Sequence, residues 1–427
     1  MSGAPATRLS SDKAPWLAAG PLARLLAALD AKGEEARVVG GAVRNTLLGL
    51  APGDVDIATT AAPEEVVRRA SAAGFHPVPT GIEHGTVTVV VDGTPFEVTT
   101  LREDVETDGR RAVVRFGRDW RADAARRDFT MNALFLARDG AVIDLVGGLA
   151  DIKARRVRFI GDPATRIAED HLRVLRFFRF FAAYGVGAPD SAGLSACIRA
   201  RDDLAKLSRE RVRVEILKLM EAARAAETAV IMTEAGILDR VLGGVPDLAA
   251  LARLAAIEAA LGLAPDPVRR LAALAVRVDE DAGRLRERLR LSNDEQRRLR
   301  SIGDSWWRLA PAIDEAGGRA LLYRLGAADY RDRALVAFAR SGAKAGDKGW
   351  RELVALPERW TPPKFPLAAK DFLARGVEKG PALGRALEAA EAAWIAAGFP
   401  AAADRLAAIV HDAIEASRAG KDGGGQG

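Results

Sequence analysis

Up to about residue 160 the chain alternates short β-branched apolar runs with amphipathic stretches. The runs at Val38-Val39, Asp54 to Ile57, Thr86 to Val91, Phe96 to Leu101, Ala133 to Ala137 and Val142 to Leu145 have strand character. Between them, Ala42 to Leu48, Pro63 to Ala73 and Arg121 to Arg127 carry helical spacing. Pro63 suits a first helical turn and Gly74 a stop. This pattern predicts a mixed α/β domain built on a sheet of about five strands.

Beyond Asp162 the periodicity becomes helical almost to the end, in an Ala/Leu/Arg-rich background. Breaks are local, at Pro189, Gly243-Gly244, Pro265, Pro267, Gly317-Gly318, Pro362-Pro363 and Pro400. Ser292-Asn293-Asp294-Glu295 has the S-x-x-E form of a capping box and predicts a fresh helix start. The closing GKDGGGQG reads as a flexible tail.

Composition narrows this picture. The chain has 427 residues, too many for one core, and 49% hydrophobic content, enough to fold throughout. Its formal net charge of +5 favours a polyanionic partner without requiring one. One cysteine, Cys197, excludes a disulfide framework and a Cys-rich zinc site and fits a reducing cytoplasm. No uncharged apolar run reaches membrane-spanning length, and Trp16 to Leu29 reads as an ordinary amphipathic helix.

The chemistry concentrates in the first part. In Val38-Val39-Gly40-Gly41-Ala42-Val43-Arg44 a strand ends in two glycines and a helix starts, with an arginine one turn in. Glycines admit close approach of backbone to phosphate, and Arg44 adds a planar cation. Next comes Gly53-Asp54-Val55-Asp56-Ile57, two acids one residue apart in a strand-like run. On a strand, Asp54 and Asp56 face the same side, an arrangement that a bound cation relieves. Asp279-Glu280-Asp281 repeats the D-x-D pattern among helical surroundings, with no glycine turn before it, and reads as solvated surface. Glu97, in the run Pro95 to Leu101, is either a third metal carboxylate or an exposed-face glutamate.

Further along, Arg126-Arg127-Asp128 precedes the run Phe129 to Leu134, suited to phosphate and ribose contacts or to a helix end with favourable charges. In Glu169-Asp170-His171-Leu172-Arg173-Val174-Leu175-Arg176-Phe177-Phe178-Arg179-Phe180, helical spacing puts Asp170, Arg173, Arg176 and Arg179 along one side. Leu172, Leu175 and the phenylalanines then form the buried stripe. An acid and an arginine one turn apart either present an acceptor and donors together, as a base edge does, or form an ordinary i,i+3 surface ion pair.

Taken in order, VGGAVRN, GDVDIATT, FEVTTLR, RRDFTMNAL, DLVGG, EDHLRVLRFFRF and LSRERVRVE resemble the class II tRNA nucleotidyltransferase and bacterial poly(A) polymerase family, part of the polymerase-β-like superfamily. The motifs cover about residues 36 to 220. The resemblance implies an α+β fold: a polymerase-β-like nucleotidyltransferase head, then an all-α neck, body and tail. It implies an N-terminal extension over 1–30, a head over 31–160 and a neck with the nucleotide-template helix over 161–220. A body over 221–345, a tRNA-binding tail over 346–420 and a flexible end at 421–427 would follow. By the same resemblance, Gly40, Gly41 and Arg44 cradle the triphosphate and Asp54 and Asp56 bind two Mg²⁺. Arg127 and Asp128 contact triphosphate and ribose, and Asp170 and Arg173 read the base edge of CTP and then ATP. Arg176 and Arg179 support nucleotide and template. The segment Leu207 to Glu215 braces the template helix, with Glu215 as its internal partner, and Asp104 to Arg118 falls where the family carries a mobile loop.

The activity so implied is Mg²⁺-dependent, template-independent addition of CCA to tRNA 3′ ends. Its alternatives are a poly(A) polymerase or A-only enzyme with the same site, or a catalytically idle RNA-binding protein. Arg284, Arg286, Arg288, Arg290, Arg297, Arg298 and Arg300 are candidate RNA contacts or else a solvated helix face. Trp306, Trp307 and Trp350 are either base-stacking or core residues. One departure stands out: the family usually has Asp directly after the motif arginine, and here that residue is Asn45.

Overall fold

A computed structural model describes residues 7–18, 20–79, 81–107, 112–311 and 313–422. They divide into two units, one running to Gly244 and including Arg288–Arg290, the other made of Val245–Glu287 and the rest.

In the first unit the β-branched runs become β1 (Ala36–Val39), β2 (Asp56–Thr59), β3 (His76–Val78), β4 (Thr86–Val91), β5 (Thr94–Thr100), β8 (Leu134–Leu136) and β9 (Val142–Asp144). They form one mixed sheet of seven strands in the order β3-β4-β5-β2-β1-β8-β9. Only β2 and β5 run parallel; the other neighbours are antiparallel. The sheet is thus larger than the expected five. β3 is short and contains Pro77, so it lacks an alternating pattern, and it lies at the edge where proline is tolerated.

A separate antiparallel ribbon pairs β6 (Arg102–Thr107) with β7 (Ala112–Phe116). The stretch Asp104 to Arg118, which falls where the family carries a mobile loop, takes part in this ribbon on both sides of residues 108–111, which lie outside the described residues.

Alternation is clean in β4, where Val87, Val89 and Val91 are buried and Thr86, Thr88 and Val90 are half-buried. Helices Gly41–Leu47 and Pro63–Ala72 follow the expected positions, the second with Pro63 in its first turn. After the sheet come Pro163–Glu169, Leu172–Tyr184 and Arg209–Glu221. Phe177, Phe178 and Phe181 from the middle helix are fully buried, and Phe129 and Phe159 pack with Phe177, seating this helix on the sheet domain.

The second unit is helical, its longest segment being Glu315–Ser341, broken at Gly326 by a non-helical conformation. The capping box forms as expected: Ser292 Oγ accepts from Glu295 N, and Glu295 accepts from Ser292 N at 2.7 Å. Several of the candidate RNA-contact arginines are engaged within the fold. Arg298 pairs with Asp266 and Asp332, Arg297 with Asp294 and Asp329, and Arg300 with Asp279. Trp350 is core, stacked on Phe338. Trp306 donates to the Arg277 carbonyl, whereas Trp307 is 52% exposed. No helix among the described residues is long and apolar enough to cross a membrane.

Candidate active site

β1 ends at Gly40, whose φ of 75° is in the left-handed region that glycine adopts without strain. A Cβ there would sit 3.7 Å from the Asn132 carbonyl and 4.0 Å from Arg127, so the turn brings backbone against the arginine. Across β1, Val39 pairs with Asp56, and on the other side Asp56 pairs in parallel register with Glu97.

β2 starts at Asp56, not at Asp54. Asp54 lies in a bend after Gly53, so turn geometry rather than strand alternation brings the two acids to one cavity. This corrects the expectation of two strand neighbours. Both aspartates are exposed to the cavity. Crowding raises the Asp56 carboxyl above its usual range through desolvation and the charges of Glu97 and Asp54, against the pull of Arg127. Two neighbouring carboxylates that offer only oxygen donors suit a hard divalent cation such as Mg²⁺. Glu97 is exposed beside Asp56 but is not part of the cavity lining. Among the described residues no three His, Cys, Asp or Glu side chains gather as a metal-holding group.

Arg44 is 6% exposed, and its guanidinium is held in place by four hydrogen bonds while one Nη1–H is left over. Its guanidinium donates to Asn132 Oδ1 at 2.6 Å, to Asn45 Oδ1 at 2.8 and 3.1 Å, and to the Tyr184 hydroxyl at 2.8 Å. It also lies 4.1 Å from the Tyr184 ring centroid. Arg126 and Arg127 are both clamped by Asp123, a carboxylate 1% exposed, through two hydrogen bonds each at 2.6–3.1 Å. Asp128 is 8% exposed and accepts from Phe129 N at 2.8 Å, Asn132 Nδ2 at 3.0 Å and Arg176 Nε at 2.9 Å. Burial alone would push its carboxyl up; the Arg176 charge, with the hydrogen bonds, holds it below the usual range.

The helix expected to carry four spaced charges is interrupted. Asp170 is extended (φ −154°, ψ 105°), following Pro163–Glu169 and preceding Leu172–Tyr184. Arg173, Arg176 and Arg179 remain on the second helix. Asp170 accepts from Leu172 N at 3.1 Å and from Arg211 Nη2 at 2.6 Å. Arg173 pairs with Glu169 and donates to the Arg166 carbonyl at 2.8 Å. Glu215, 5% exposed, pairs with Arg179 at 2.5 Å and Arg176 at 3.7 Å, and so is an internal partner of that helix as expected. Phe180 lies under Arg44, Arg176 and Arg179, with centroid distances of 5.2, 5.3 and 4.3 Å.

Most of these groups line one cavity of about 650 Å³, bounded also by Gly40, Gly41, Asn45, Leu172 and Lys218, while Asp123, Glu169, Tyr184 and Glu215 stand behind its lining. Eight Arg or Lys side chains and four aspartates line it, so its wall is predominantly cationic even with Asp123, Glu169 and Glu215 partnering several of the arginines from behind, which suits a polyanionic ligand such as a nucleoside triphosphate. The residues expected from sequence, Glu97 excepted, converge here. Asp123, Asn132, Tyr184 and Arg211 were not singled out by the sequence reading. Asn132 and Arg211 lie inside quoted motifs, and Asp123 stands three and four residues before the arginines it holds, a spacing visible on any helix.

Residues 36–158 match the family described as Poly A polymerase head domain, and residues 190–251 the one described as probable RNA and SrmB-binding site of polymerase A. The mitochondrial CCA tRNA nucleotidyltransferase 1 of Mus musculus is 34% identical over 380 residues, covering 88% of this chain and 86% of that protein. A CCA-adding enzyme of Limosilactobacillus fermentum is 34% identical over 378 residues, covering 86% and 90%. The solved Bacillus stearothermophilus CCA-adding enzyme in complex with CTP superposes with a TM-score of 0.74 at 28% identity, covering 94% of this chain and 98% of that one. With this identity spanning most of both proteins, the chain belongs to the CCA tRNA nucleotidyltransferase family.

Proposed function

We propose that this chain adds CCA to tRNA 3′ ends, using CTP twice and ATP once and needing no nucleic-acid template. In each step the RNA 3′ oxygen forms a bond to the α-phosphorus. The bond from that phosphorus to the bridging oxygen breaks, pyrophosphate leaves, and the hydroxyl proton is released. The observation that carries this reading is a single cavity with paired carboxylates at Asp54 and Asp56, Asp170 beside Arg173, and a predominantly cationic wall between.

Arg44 and Arg127, with the Gly40-Gly41 turn, would bind the triphosphate, their guanidiniums already oriented by Asn132, Tyr184 and Asp123. Asp128 would accept from a ribose hydroxyl. Asp54 and Asp56 would hold two Mg²⁺ ions, which when bound supply charge neutralisation and activation of the attacking hydroxyl. Asp170 would accept from the exocyclic amine that cytosine and adenine share, while Arg173 donates to their ring acceptors. Guanine and uracil reverse that pattern, leaving buried polar groups unpaired. Arg176 and Arg179 would hold the helix and add positive charge. A body over 221–345 and a tail over 346–420 would bind tRNA by shape and backbone, in line with the net charge of +5. A cytoplasmic setting is supported by the single cysteine, buried Cys197.

A tRNA ending at the discriminator base, offered CTP alone, ATP alone and both, tests the reading. Two, zero and three additions are expected. Long tails from ATP alone would instead identify a poly(A) polymerase.

A further inference from the structure

Asn45 stands between two parts of the cavity that have no other link through a single side chain described above. Its Oδ1 accepts from Arg44 Nε at 3.1 Å and Nη2 at 2.8 Å. Its Nδ2 donates to the carbonyls of Ala51 at 3.1 Å and Pro52 at 3.4 Å. Those carbonyls begin the turn through Gly53 (φ 70°) to Asp54, and a Cβ on Gly53 would lie 3.9 Å from the same Nδ2. The Asn45 carbonyl also accepts from Leu50 N at 2.8 Å, closing the preceding loop.

The chemistry permits one orientation. A guanidinium only donates and a peptide carbonyl only accepts, so the amide must turn its oxygen to Arg44 and its nitrogen to the loop. A carboxylate at this position would satisfy Arg44 but would set oxygen against the two carbonyl oxygens. An aspartate at this position would therefore lose the loop contacts that the amide makes.

We propose that Asn45 is a positioning residue that ties the Asp54 turn to the triphosphate-binding Arg44, so that the carboxylates and the phosphate site keep a fixed separation. The proposal rests on the assignment of Asp54 as a metal ligand and Arg44 as a phosphate ligand. Substituting Asn45→Asp severs the loop half and preserves an acceptor for Arg44; Asn45→Ala severs both.

Hydrogen exchange of the full-length protein tests this without turnover. In both variants the amides of residues 50, 51 and 53–56 should exchange about tenfold faster, as expected for losing two modest hydrogen bonds, with the Leu172–Tyr184 helix unchanged. Affinity for CTP measured without divalent ion should fall severalfold in Asn45→Ala and hold within twofold in Asn45→Asp. Wild-type exchange over 50–56 in either folded variant, or equal CTP loss in both, overturns the proposal. Mn²⁺ titration followed by electron paramagnetic resonance keeps the underlying reading separate: undiminished Mn²⁺ binding by Asp54→Ala would refute the metal assignment while leaving the Asn45 exchange result standing.

Discussion

The Asp170 carboxylate accepts from Arg211 at 2.6 Å, across 41 residues of sequence, while Arg173, three residues from Asp170, is bound to Glu169 and to main-chain carbonyls. Each half of the proposed base-reading pair is thus oriented by a partner of its own. Asp170 needs this support more, because it sits in an extended link between helices and lacks a helical backbone to fix it. A charged hydrogen bond of this kind contributes about 1.5–3 kcal/mol. Arg211→Ala should therefore reduce the preference for CTP and ATP over UTP and GTP by about tenfold, with a smaller change in triphosphate affinity. Single-turnover incorporation of all four nucleotides measures this, and an unchanged preference would show that Asp170 is oriented without Arg211.

Asp123 holds Arg126 and Arg127 together from beneath the cavity, and its buried carboxyl stays below the usual range because those two cations outweigh desolvation. Asp123→Asn keeps the shape but loses the charge and half of the acceptor capacity. The KM values for CTP and ATP should rise together by about tenfold, with base preference and tRNA affinity unchanged, since the proposed contact of Arg127 is to the triphosphate that the two nucleotides share. A selective effect on one nucleotide would place Asp123 elsewhere in the mechanism. The pH dependence has a definite sign. A depressed carboxyl stabilises the fold above its ordinary value of 3.8, and that contribution is lost as pH falls through the lower folded value.

Much of this site was legible because its chemistry is local. The Gly40-Gly41 turn, the Asp54/Asp56 pair and the arginine spacing at Arg173, Arg176 and Arg179 are short-range patterns, and β4 formed over the very residues whose β-branching announced it. The unread parts depend on contacts that sequence spacing does not encode. Arg44 meets Asn132 across 88 residues and Tyr184 across 140, and Asp170 meets Arg211 across 41. β6 and β7 escaped because Glu103, Asp104 and Glu106 in one and Arg115 in the other break up the apolar signal, so their pairing rather than their composition makes them strands. The break at Asp170 was hidden for the opposite reason: the helical periodicity continues across it on both sides.

Asp56 carries a cost that its proposed role explains. Its carboxyl is raised by desolvation and by Glu97, so ionisation is less favourable in the fold than in the unfolded chain. The penalty is absent below the ordinary value of 3.8, grows as pH rises through the interval up to the raised value, and is complete at neutral pH. Asp56→Asn should therefore unfold at the same or higher temperature than wild type at pH 7 without divalent ions, yet show no Mg²⁺-induced rise and no incorporation. A destabilised Asp56→Asn under those conditions would contradict the strain. The wild-type Mg²⁺-induced rise should shrink as pH is lowered toward the acidic range, because the ion needs the carboxylate.

The second unit makes a sharper stability prediction at Glu258, which is 1% exposed and bonded to Arg269 at 2.8 and 2.9 Å and to Arg270 at 2.7 Å. Arg269 also reaches Asp332 at 3.3 Å, and Asp332 pairs with Arg298 at 2.7 Å, so Glu258 anchors a chain of alternating charges. Removing one member of a buried pair leaves its partners charged and desolvated, a cost of about 3–5 kcal/mol. Glu258→Ala should lower the unfolding midpoint by several degrees, with CTP affinity intact because every residue lining the nucleotide cavity belongs to the other unit. Replacing Glu258, Arg269 and Arg270 together with Met should recover part of the loss, since no unpaired charge then remains among the three. If the triple variant is no more stable than Glu258→Ala, the loss comes from packing around residue 258 and not from stranded charge.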